Sequence, residues 1–167
     1  MSTYPAWSAG QRITAAQLTA MEPQIVMKAA DETRTSTTTL ASDAELFLAV
    51  AASATYLLDG WLVYTGDTTN CDLKVDWTIP SGASLMWSRG GYPVANTNSI
   101  DTVQTDNTTI RVLGTYGSAT NVTATVRGRL VTSITAGTLQ MRFAQNTSDS
   151  VSLVMRAGSW LRLTRVA

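Results

Sequence analysis

Hydrophobic and polar positions follow two different periods along the chain, and the change falls near residue 28. Before it, Ile13, Leu18 and Met21 can form the apolar stripe of a short helix, and Thr14-Ala15-Ala16-Gln17 has the form of a capping box. In such a box the threonine and glutamine side chains satisfy backbone N–H groups at the helix start. Pro23 closes the segment, because it cannot continue a helix. A helix under three turns is marginal unless something packs against it, so residues 1–27 read as an arm docked on another surface. Tyr4, Trp7, Ile13, Leu18 and Met21 are its candidate anchoring side chains.

From Lys28 onward, short β-rich runs are separated by turn residues, and no later helix is expected. The runs are 35–40, 45–50, 55–65, 71–79, 84–88, 99–104, 108–115, 122–135, 138–144, 150–156 and 160–166. Gly66-Asp67, Pro80-Ser81-Gly82, Gly90-Gly91, Ala136-Gly137 and Ala157-Gly158 stand among the breakers. This spacing predicts an all-β sandwich or barrel over 28–167. In the run 71–79, Leu73, Val75, Trp77 and Ile79 alternate with Asp72, Lys74, Asp76 and Thr78, which predicts one buried and one wet face. Other runs carry large apolar groups on both faces: Tyr56-Leu57-Leu58 with Trp61-Leu62-Val63-Tyr64, and Trp160 with Leu161 and Leu163. A two-sheet sandwich has one inner face, so a second apolar face needs another surface to cover it, most simply a second copy of the chain.

Composition sharpens this picture by exclusion. The 167 residues include 27 threonines, a residue that favours strands, and 44% hydrophobic residues, enough for one domain with a core. Twelve basic and twelve acidic side chains cancel, leaving no field to attract nucleic acid or an anionic membrane. Cys71 is the only cysteine, so no intrachain disulfide and no cysteine-rich zinc site can form. Met1 to Gln11 has no signal-peptide pattern, so the chain is expected to be made in a cytoplasm and left soluble.

Histidine is absent, which removes the commonest general base, the commonest zinc ligand and every Ser-His or Cys-His triad. Paired carboxylates remain conceivable, with Asp67, Asp72, Asp76, Asp101 and Asp106 as candidates, but aspartates on a wet strand face read first as solvated charge. No catalytic residue, metal site or cofactor is therefore expected. Ser88-Arg89-Gly90-Gly91-Tyr92 matches neither phosphate-binding fingerprint and reads as a hairpin loop. Trp87, Arg89 and Tyr92 on that loop form a candidate outward surface for stacking on a sugar. Asn107-Thr108-Thr109, Asn121-Val122-Thr123 and Asn146-Thr147-Ser148 fit the glycosylation sequon, as chance matches in a Thr-rich and Ser-rich chain would.

The opening stretch Trp7-Ser8-Ala9-Gly10-Gln11-Arg12-Ile13-Thr14-Ala15-Ala16-Gln17-Leu18 resembles the N-terminal part of small virion proteins from tailed phages of actinobacteria. Lys28-Ala29-Ala30-Asp31-Glu32-Thr33-Arg34 and Ala157-Gly158-Ser159-Trp160-Leu161-Arg162-Leu163 are similar to the same group. The resemblance covers nearly the whole chain. It implies a jelly-roll sandwich of the tumour-necrosis-factor type, assembled as a homotrimer on a phage head or tail. It also implies a threefold contact drawn from Tyr56, Trp61, Tyr64, Trp160, Leu161 and Leu163, and an arm gripping the major capsid protein or another virion protein. Capsid decoration is the expected role, with a receptor-binding tip or short tail fibre touching host-surface glycan as the alternative.

Overall fold

Among the described residues, runs of alternating side chains become twelve strands once each finds a partner for its backbone. The computed structural model describes residues 8–19, 21–67, 71–94, 105–106 and 109–167. In chain order the elements are α1 (Ala15–Thr19), β1 (Gln24–Met27), β2 (Glu32–Arg34), β3 (Ala41–Val50), β4 (Thr55–Gly66), β5 (Leu73–Thr78) and β6 (Ser84–Gly91). They continue with β7 (Thr105–Asp106), β8 (Arg111–Leu113), β9 (Gly117–Val131), β10 (Gly137–Gln145), β11 (Leu153–Met155) and β12 (Trp160–Arg165). The large sheet runs β1-β12-β4-β9-β6-β7, with β11 pairing β4 and β2 outside that path; the small sheet runs β3-β10-β5-β8. Every pairing is antiparallel. The two sheets form an antiparallel sandwich of the jelly-roll type, as expected.

The core lies between the sheets. Leu58, Leu62, Tyr64, Leu85, Trp87, Leu130 and Leu161 point in from the large sheet and Leu46, Leu73, Val75, Leu139, Met141 and Phe143 from the small one. Trp87 of β6 and Trp77 of β5 meet edge to face across the gap, with ring centroids 5.7 Å apart at 82°, an arrangement that favours aromatic quadrupoles. Gly60 is inward on β4, where a Cβ would come within 2.6 Å of Val126 Cγ2 and 2.7 Å of Leu161 Cδ2. A glycine there lets both neighbours close over the strand.

Three sequence expectations change. The whole run 35–40 is a loop: Ser36 has φ +52°, Thr37 N–H donates to Gln145 Oε1 (3.1 Å) and Thr39 N–H to Thr37 Oγ1 (3.2 Å). Side-chain acceptors thus take the N–H groups that a ladder would need. The wet face expected along 71–79 is also largely closed. Asp72 and Asp76 are both buried, Asp72 accepting the Thr115 N–H at 3.1 Å and Asp76 paired with Arg142. Finally, Gln24–Met27, expected within the arm, form edge strand β1 on β12, so the large sheet begins four residues ahead of the expected boundary. The run 99–104 lies outside the described residues.

The capping box forms as expected: Thr14 N–H donates to Gln17 Oε1 (2.9 Å) and Gln17 N–H to Thr14 Oγ1 (3.4 Å). Where the arm joins the sandwich, Lys28 is buried at 2% exposure. Its Nζ stands 2.9 Å from Glu32 Oε2, 3.0 Å from Asp43 Oδ1 and 3.3 Å from Glu45 Oε2. Burial alone would push the Lys28 ammonium down, but hydrogen bonds to Glu32 and Asp43 outweigh it and leave the pKa raised.

Candidate functional site

Strand alternation decides which residues of the large sheet face outward. On β4, Tyr56, Leu58, Gly60, Leu62 and Tyr64 point into the core, while Leu57, Asp59, Trp61 and Val63 point out. On β12, Leu161 and Leu163 point in, and Trp160, Arg162 and Thr164 point out. Tyr56, Tyr64, Leu161 and Leu163 are each at most 2% exposed, so these four expected threefold contacts belong to the chain's own core. Buried polar tips confirm the placement: Tyr64 Oη donates to the Gly114 carbonyl (2.9 Å), and Tyr56 Oη accepts the Ala51 N–H (2.9 Å). Of the six, Trp61 and Trp160 remain on the outer face.

Register then assembles that face into rows. Met27, Trp160, Trp61 and Thr125 are successive partners across β1, β12, β4 and β9, and Ile25, Arg162, Asp59 and Arg127 form the next row. A third row runs Thr164, Leu57, Arg129 and Met86. Ile25 (63%), Met27 (61%), Leu57 (46%), Trp61 (39%) and Met86 (39%) keep large exposed fractions. Asp59 sits amid them, 2.8 Å from Arg162 and 3.8 Å from Arg127. The outer face of the small sheet is different. It presents Gln140, Arg142, Lys74 and Thr78, with Phe47 as its large exposed apolar group. Contiguous exposed apolar surface of this kind marks a contact surface rather than a solvated one, and the charge within it is already paired inside the chain. Ile25, Met27, Leu57 and Asp59 were missed in the sequence, although Asp59 marks the outward parity of β4.

The outward sugar-stacking trio does not hold together. Trp87 is 1% exposed and lies in the core opposite Trp77, because β6 continues through it and its partner β9 fixes it inward. Tyr92 stacks edge to face on exposed Tyr116 at 5.5 Å. These two rings, with Thr120, Asn121, Val122 and Thr123, line an open pocket of about 380 Å³. Arg89 is half-buried and is not among the lining residues.

On the arm, Ile13 and Leu18 are each 53% exposed and Met21 is half-buried; Tyr4 and Trp7 lie outside the described residues. A cleft of about 350 Å³ separates Thr19, Glu22 and Gln24 from Tyr56, Leu163 and Arg165. Among the candidate aspartates, Asp101 lies outside the described residues and Asp76 is committed to Arg142. Asp72 is held by Thr115, and burial pushes its carboxyl up against that hydrogen bonding.

The Asp72 shift yields a pH prediction. A pKa raised in the folded state means that ionisation is harder there than in the unfolded chain. Stability is therefore lost as pH rises from the ordinary carboxylate value through the raised one. Asp72→Asn keeps the acceptor for Thr115 without the charge. Its melting temperature at neutral pH should be at least that of the parent, with a flatter dependence from acid to neutral, as followed by thermal melts. A lower melting temperature at neutral pH would contradict the assignment.

No protein-family model matches the chain, and no curated protein does. Among solved structures, the tripod (BppUct-A-L) from the baseplate of bacteriophage Tuc2009 aligns over 99% of this chain and 76% of that one, at 9% identity and a TM-score of 0.38. A structure of infectious bursal disease virus Gx strain aligns over 86% of this chain and 40% of that one, at 11% identity and a TM-score of 0.23. Such scores are too low to indicate a shared fold.

Proposed function

We propose that this chain is a non-enzymatic structural subunit of a phage virion, a homotrimer that decorates and stabilises the assembled capsid. The observation that carries self-association is the outer face of the large sheet, where Ile25, Met27, Leu57, Trp61 and Trp160 surround the Arg162-Asp59-Arg127 array. Its apolar rows supply the burial, and the charges supply register between copies. The arm supports the second contact: it exposes Ile13, ahead of its short helix, and Leu18 within the helix, which the major capsid protein or another virion protein would cover. The phage assignment itself rests on the resemblance of the opening and closing segments. Decoration then acts by mass action, since whatever binds only the assembled shell stabilises it.

The chain should sediment as a trimer at micromolar concentration. Trp61→Ala should weaken association on the order of thirtyfold per contact, about 2 kcal/mol for an interface aromatic. A monomeric parent, or a Trp61→Ala variant that assembles like it, would sink the interface. Binding of the purified trimer to empty capsids, lost on deletion of residues 1–23, tests decoration. The Tyr92 and Tyr116 pocket favours a second reading, a receptor-binding tip on host-surface glycan. Glycan-array binding without capsid binding would choose it.

A further inference from the structure

Lys28 and Asp43 bring an amine and a carboxyl together in a place almost closed to water. Lys28 is 2% exposed and Asp43 fully buried, with Lys28 Nζ 3.0 Å from Asp43 Oδ1. The two oxygens of Asp43 have unlike surroundings. Oδ1 accepts the backbone N–H groups of Glu45 and Leu46, both at 2.9 Å. Oδ2 is buried and has no hydrogen-bond partner among the described residues. Glu32 completes the site: its Oε2 lies 2.9 Å from Lys28 Nζ and is fixed by the Ala44 N–H, while Arg34 holds its Oε1.

From this geometry we propose that Lys28 and Asp43 condense into an intramolecular isopeptide bond, with Glu32 carrying the proton between them. Glu32 takes a proton from the ammonium, against the hydrogen bonds that hold Lys28 protonated in the resting site, and delivers it to Asp43 Oδ2, leaving a neutral amine beside a neutral carboxyl. The nitrogen lone pair attacks Asp43 Cγ, and the charge that develops on Oδ1 falls where the N–H groups of Glu45 and Leu46 already point. A second proton from the nitrogen reaches Oδ2, the Cγ–Oδ2 bond breaks, and Oδ2 departs as water. One C–N bond forms, one C–O bond breaks, and one ammonium and one carboxylate become a neutral amide and one water. No oxidant or cofactor enters.

The product suits the site better than the ion pair does. Two buried charges carry a desolvation penalty that the amide does not. Oδ1 keeps both backbone donors, the remaining N–H keeps Glu32 as acceptor, and the unpartnered Oδ2 is gone. Glu45 retains the N–H groups of Ala29 and Ala30. Mechanically, the bond would tie the end of the arm straight into β3 of the small sheet. Tension on the arm would then bypass the four-residue pairing of β1 with β12.

Intact-mass measurement of the purified full chain reads the bond directly. The expected mass is one water below that of the sequence. Trypsin should fail to cut after Lys28 and should yield a branched peptide joining 13–34 to 35–74. Asp43→Ala should restore the full mass and cleavage after Lys28. Glu32→Gln, which keeps the shape of the side chain, should form the bond on the order of a hundredfold more slowly. Cooperative melting of Glu32→Gln shows that it is folded when its mass is read. A folded parent chain with full mass and normal cleavage after Lys28 overturns the proposal, as does a water loss that maps anywhere else. The readout is independent of capsid, trimer and host.

Discussion

Trp87→Ala is expected to lower the unfolding free energy by about 3–5 kcal/mol, the range for removing a large aromatic from a packed core. For a domain of this size that is a fall in melting temperature of roughly 10 °C. The indole is 1% exposed and meets Trp77 edge to face at 5.7 Å, so one truncation removes contacts from both sheets at once. The gap cannot close easily, because β6 is pinned to β9 over eight register pairs. Denaturant melts check the value, and Trp61→Ala provides the contrast. Trp61 is 39% exposed on the outer face, so its effect on melting should vary with protein concentration, as a contact between copies requires. The Trp87→Ala loss should not. A loss under about 1 kcal/mol for Trp87→Ala would return this residue to the surface, where a binding-loop role would put it.

These two tryptophans also show how far the sequence could be read. The β class, the sandwich and the capping box of α1 were legible because each depends on local pattern: period-two alternation, turn residues, and Thr14 three residues before Gln17. That β4 and β12 carry apolar groups on both faces was equally plain. Which group takes which face was decided by parity. Asp59 shares its parity with Leu57 and Trp61 and is opposite to Tyr56 and Tyr64, so the charge already marked the solvent side of β4. Trp87 was misplaced for a different reason. Gly90-Gly91 looks like a turn, but β6 runs through both glycines to pair Thr125 and Ala124, and only the partner strand reveals that. Burial of Asp72 and Asp76 likewise depends on Thr115 and Arg142, which are distant in sequence. The Lys28 cluster combines near neighbours with Asp43, fifteen residues on, and no local period announces it.

Lys28→Ala should destabilise the chain by about 3–5 kcal/mol, the cost of removing one partner from a buried charge pair. The three carboxylates would not suffer equally. Glu32 keeps Arg34 and the Ala44 N–H, and Glu45 keeps the N–H groups of Ala29 and Ala30. Asp43 is the one left fully buried with an unpartnered oxygen. Adding Asp43→Asn should therefore recover much of the loss, since an amide keeps the acceptor for Glu45 and Leu46 and carries no charge. Denaturant melts of the parent, both single variants and the double variant give the coupling energy. If the double variant recovers fully, the parent's gain was electrostatic. If it stays about 3 kcal/mol short, the deficit matches the loop-closure entropy of a covalent tie across fifteen residues. A Lys28→Ala variant as stable as the parent would refute both, because neither a buried ion pair nor a bond at that nitrogen could be lost without cost.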